Sequence, residues 1–169
     1  MLRDSIGGKQ ILLILNKCCA EGGGSKVMAE NFSATERAFL EKVMQRASLP
    51  DIYDARDLTT VVFRTLRDLM TTETDQQTEA AFKNADIAEI WRDDNPFVSF
   101  LSRFRPPLDI DEELFLRRVK QEGGVPKNVS AEAVVVAVFS AARESIPPEQ
   151  AKEISKVLPD GLRVLWEQV

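Results

Sequence analysis

Apolar side chains recur along most of this chain at helical spacing. Phe39, Leu40, Val43, Met44 and Ala47 share one face of a segment that Pro50 closes. Ser33-Ala34-Thr35-Glu36 opens it as a capping box, the Ser oxygen and the Glu carboxylate each taking an orphan amide. Leu58, Val61, Val62, Leu66 and Leu69 fall at i, i+3, i+4, i+8 and i+11, with charges on the opposite face. Leu114, Phe115, Leu116 and Val119 form a third stripe. Asp109 or Asp111 suits its N-terminus, and Gly123-Gly124 end it, one of them in the left-handed C′ position.

The stripes belong to a longer correspondence. Phe39-Leu40-x-x-Val43-x-Gln45, Pro50, Phe63, Arg67, Glu73 and Trp91 return as Phe115-Leu116-x-x-Val119-x-Gln121, Pro126, Phe139, Arg143, Glu149 and Trp166. The offset is roughly 76 residues, shortened by one late in the second copy. The correspondence resolves an ambiguity. Ala133-Val134-Val135-Val136-Ala137-Val138-Phe139 alone reads as a buried strand, because β-branched residues favour strands. Its counterpart over residues 57–69 has helical periodicity, so both are expected to be helices, with Asp54 and Ser130 as their N-caps. A third helix begins at Thr71 or Thr72 and at Pro147-Pro148-Glu149. A short fourth one, led by Ile87 and Ile90 or by Leu162 and Leu165, ends at Trp91 and at Trp166.

The expected fold is therefore all-α: two tandem helical-bundle repeats with pseudo-two-fold symmetry, over residues 33–91 and 111–169. Between them, residues 92–110 form a linker in which Asn95 and Pro96 open a short helix and Pro106-Pro107 close it. Phe97, Phe100, Leu101 and Phe104 give that helix an apolar side expected to pack between the repeats.

Residues 1–27 stand outside the correspondence. They hold the apolar run 11–15, Cys18-Cys19, and Gly22-Gly23-Gly24-Ser25, by composition a flexible linker. Met28 then opens a stretch that reads as a natural start, so residues 1–27 are expected to be an extension, flexible or loosely attached. The rival is a docked helix over residues 9–20.

Composition narrows the chemistry. The 169 residues are 44% apolar and 29% charged, with net charge −5, so no overall field draws nucleic acid or anionic lipid. Histidine is absent, which excludes His-dependent triads and His-based metal sites. Adjacent Cys18 and Cys19 cannot staple distant segments and read as reduced thiols, with a redox role as the rival. The apolar run is too short for a membrane span and makes a weak signal peptide, with a short apolar core and Asn16-Lys17 before Cys18 where small residues are needed, so the cytoplasm is the default expectation. No catalytic residue, metal ligand or cofactor-binding residue is identified, and no cofactor is expected. Gly22–Gly24 lack a following Lys-Ser/Thr and are no phosphate loop. Asp109, Asp111, Glu112 and Glu113 lack the spacing and turn Gly of a calcium loop, and read as an acidic helix start.

Several residues remain as candidates for a surface. Trp91 and Trp166, at the close of each repeat, read as core plugs. Arg67-Asp68 and Arg143-Glu144 read as a solvated helix face, with a bridge between repeats as the rival. Arg103 and Arg105 flank Phe104, and Arg117, Arg118 and Lys120 follow. Such interleaving can bind phosphate, but the intervening acids cancel much of the field. The candidate binding surface is Phe100, Arg103, Phe104, Arg105, Arg64 and Arg67.

Two segments carry a family resemblance. Asp54-Ala55-Arg56-Asp57-Leu58, continued by Val62-Phe63-Arg64-Thr65-Leu66-Arg67, and the ending Leu158-Pro159-Asp160-Gly161-Leu162-Arg163-Val164-Leu165-Trp166 resemble the motifs of a prokaryotic domain family of unknown function, number 2267. Asn95-Pro96-Phe97 and Arg105-Pro106-Pro107-Leu108 are similar to its cyanobacterial members. The resemblance runs from about residue 33 to residue 169 and implies no activity. The functional expectation is a non-enzymatic cytoplasmic adaptor or regulatory protein that binds another protein in a groove between the repeats, as a monomer or weak homodimer, without nucleic acid or membrane. The rival is a small-molecule or anion-binding helical domain, or an enzyme built from carboxylates and arginines.

Overall fold

The computed structural model describes residues 32–92 and 106–169, which fall in one compact unit, Phe32–Val169. Expectations for a helix over residues 9–20, for Cys18 and Cys19, and for a linker helix holding Phe97, Phe100, Arg103, Phe104 and Arg105 lie outside the described residues.

Eight helices and no strand occur among the described residues. The first four are α1 (Ala34–Ala47), α2 (Ile52–Asp68), α3 (Thr72–Ala81) and α4 (Ala85–Trp91). The last four are α5 (Glu112–Glu122), α6 (Ala131–Ser145), α7 (Pro148–Val157) and α8 (Asp160–Glu167). Residues 133–139 are helical despite four valines, and Val134, Val135, Val138 and Phe139 are buried. Burial of one face outweighs β-propensity there.

Helix starts follow side-chain chemistry. Ser33 Oγ accepts the Glu36 N–H at 3.1 Å, Asp111 accepts the Leu114 N–H at 2.8 Å, and Ser130 accepts the Ala133 N–H at 3.0 Å. Two expectations need correction. α2 is capped by Asp51, whose carboxylate accepts the N–H groups of Tyr53 and Asp54 at 2.9 Å each. Asp54 sits instead in the first turn, because extended Asp51 after Pro50 reaches the open amides first. The Glu36 carboxylate bonds Arg56 at 3.3 Å, and the Ser33 hydroxyl donates to Asp86 at 2.6 Å. The box is thus tied into α2 and α4. Gly124 follows α5 at φ +64°, as the double glycine implied.

The core is one continuous cluster centred on α1, α2, α5 and α6. α1 packs along α6 and α2, and α5 lies against α2 and α6. α4 folds back onto α1 and α2, α8 onto α5 and α6, while α3 meets α7. Phe63 lies 6.2 Å from Phe39 and 5.0 Å from Trp91, centroid to centroid. Phe139 lies 6.3 Å from Phe115 and 5.0 Å from Trp166. Buried Thr59 and Thr65 donate their hydroxyls to carbonyls one turn back, at 2.6 and 2.8 Å. Thr78 does the same at 2.8 Å and accepts from Gln150 of α7 at 2.8 Å.

Candidate functional site

Charged residues on the bundle helices are largely engaged with one another. Glu144 of α6 receives Lys42 at 2.7 Å and Arg46 at 2.6 Å, both from α1. These two hydrogen bonds, Lys42 first, hold the Glu144 carboxyl below its ordinary pKa against a small desolvation cost. On the other side of the bundle Asp68 of α2 receives Arg118 of α5 at 3.0 Å. Asp68 and Glu144 are therefore not merely a solvated face: each joins one set of four helices to the other. Arg118, read from sequence beside Arg117 and Lys120 as a candidate anion binder, takes part in that joint. Arg64 is exposed on α2 with Glu122 of α5 at 3.8 Å, and Arg67 is half-buried on the same helix. The structure does not bring Arg64 and Arg67 into a described pocket, and their four proposed companions lie outside the described residues.

Burial, followed by the nearby charges of Asp51 and Asp57, pushes the Asp54 carboxyl above its ordinary pKa. Among the described residues no group of three His, Cys, Asp or Glu side chains is placed to hold a metal ion. No helix there is long and apolar enough to cross a membrane.

Both tryptophans are 1% exposed, consistent with plugs rather than surface anchors. Their indole N–H groups have different partners. Trp91 donates to the Asp75 carboxylate of α3 at 2.8 Å, whereas Trp166 donates to the Ala151 backbone carbonyl of α7 at 3.0 Å. Arg143 of α6 lies over the Trp166 ring, 5.9 Å from its centroid. The same guanidinium donates to the carbonyl oxygen of Trp166 at 2.6 Å and to that of Val169.

A shallow cleft of about 170 Å³ opens beside this arrangement. Ala151 and Trp166 lie buried in it, with Pro148, Lys152, Ser155, Glu167 and Arg143 around them. Ser155 donates to the Glu167 carboxylate at 2.8 Å. Sequence reasoning passed over this cleft. Its one signal in the sequence is small Ala151, 76 positions after Asp75.

An all-helical domain with a tryptophan-plugged core is the class these features define. The chain belongs to the family of uncharacterized conserved proteins DUF2267, whose model matches residues 36–165. No curated protein matches the sequence.

Proposed function

We propose that this protein is a non-enzymatic helical adaptor or regulatory protein that acts by binding another protein. The observation that carries the reading is the size of the described cleft. At about 170 Å³ it is a shallow surface depression among the described residues. It suits a single side chain of a protein partner. The engagement of Asp68, Arg118, Lys42, Arg46 and Glu144 in joints between helices points the same way, since those charges serve the bundle.

On this reading the protein is a cyanobacterial-type member of its family and works in the cytoplasm as a monomer or weak homodimer. It consists of two tandem repeats, α1–α4 and α5–α8, related by a pseudo-two-fold axis. Matching helix order, the paired Phe63–Trp91 and Phe139–Trp166 distances, and the counterpart joints Lys42–Glu144 and Arg118–Asp68 support the duplication. Lys42 and Arg118 stand 76 positions apart, as do Asp68 and Glu144. The candidate surface remains Phe100, Arg103, Phe104 and Arg105 with Arg64 and Arg67.

Affinity capture from the native cell tests the reading, using the intact chain and a Phe100→Asp, Phe104→Asp variant whose circular dichroism matches wild type. A partner enriched by the wild type and lost by the variant is the expected result. Identical recovery by both chains would remove the linker from the interaction surface.

A further inference from the structure

We propose that the cleft on α6, α7 and α8 receives an acidic side chain, Asp or Glu, from a protein partner. The inference rests on reading the chain as a protein-binding duplication, and it names the chemistry that the second half recognises.

The first half shows what this position accommodates. α3 and α7 are both ten residues long, and Asp75 and Ala151 are each the fourth residue of their helix. In the first half, the Asp75 carboxylate sits against the tryptophan plug and takes its indole N–H at 2.8 Å. In the second half, Ala151 brings no carboxylate. The Trp166 indole turns to the Ala151 carbonyl, and an open cleft of about 170 Å³ lies above the two residues. The cleft is shallow and open, with room for one side chain.

Charge selects the occupant. Arg143 and the exposed Lys152 line the cleft, and a guanidinium fork matches a carboxylate in geometry. The described bonds of Arg143 to the Trp166 and Val169 carbonyls both run through Nη1 of a group that carries five donors. Glu167 is the one acid in the lining, and its carboxylate already accepts the Ser155 hydroxyl. The first half therefore supplies its own carboxylate beside Trp91, and the second half takes one from outside.

The chain's two tryptophans give a built-in control, because each yields one indole resonance in a nitrogen–proton NMR spectrum. The probe is N-acetyl-Gly-Glu-Gly-amide, with its Gln analogue as comparison, titrated into the full chain. The glutamate peptide is expected to shift the Trp166 indole saturably and to leave Trp91 in place. The Gln peptide should bind at least about tenfold more weakly, since it lacks the charge that pairs with the cations. Ala151→Asp should abolish the response by filling the cleft from within. Lys152→Glu, an exposed change that spares the core, should weaken it. No saturable Trp166 shift, an equal response to the Gln peptide, or an undiminished response in Lys152→Glu overturns the proposal. Asp75→Ala separates this outcome from the duplication itself. If the halves are equivalent, the Trp91 resonance of that variant moves toward the Trp166 position, whether or not the peptide binds.

Discussion

Replacing Trp166 by alanine should be among the costliest single changes in this chain. The side chain is 1% exposed, and a tryptophan buries about 150–250 Å². At about 25 cal/mol per Å² this is roughly 4–6 kcal/mol of apolar burial, an upper bound because the unfolded chain already hides part of that area. Measured truncations of buried aromatics cost about 3–5 kcal/mol, which agrees. The ring also stands edge-on to Phe139 at 5.0 Å and carries Arg143 at 5.9 Å, so its removal loosens α8 from α6. Against a domain stability of about 5–15 kcal/mol, the loss is a large share. Urea unfolding followed by far-ultraviolet circular dichroism measures it, and the melting temperature should fall by about 6–20 °C. A cost below about 1 kcal/mol, typical of a surface site, would refute the plug reading.

Other changes follow from single features. A Cβ on Gly161 would meet the Glu112 carboxylate, the far end of a flexible side chain that can swing aside, and alanine gains up to about 1 kcal/mol over glycine within a helix, so Gly161→Ala should leave thermal stability unchanged or slightly raised. A loss above about 2 kcal/mol would contradict that freedom of the Glu112 side chain. Gly124→Ala should cost about 1–2 kcal/mol, because φ +64° places the new Cβ against its own backbone. The Glu144 carboxyl is held below its ordinary pKa, so it contributes stability above the unfolded-state value, and that contribution fades as pH falls through the folded value. Glu144→Gln should therefore flatten the acid limb of a stability–pH curve, and an unchanged limb would refute the joint. Asp54 has the opposite sign. Its raised pKa means stability lost as pH rises, so Asp54→Asn should stabilise the protein at neutral pH, with the gain vanishing in acid.

Much of the helical architecture was legible because one stretch of sequence corrected another. The valine-rich stretch 133–139 reads as a strand alone, and only comparison with residues 57–69 identifies it as a helix. The choice between Asp51 and Asp54 was not legible, since both are good caps three residues apart and only the backbone after Pro50 decides. Joints across long separations were equally hidden. Nothing local tells Glu144 that Lys42, over a hundred positions earlier, will be its partner. The cleft was obscured for a different reason: small Ala151 helps to line it, and periodicity does not register small residues.

Binding to a protein partner, with the cleft on α6, α7 and α8 as one contact, is tested most directly by calorimetric titration of the purified captured partner into wild type and Ala151→Asp. A saturable one-to-one complex with wild type, weakened at least about tenfold in the variant, or about 1.4 kcal/mol, is the predicted result. Equal affinity for both chains, or no binding heat with wild type, would contradict it.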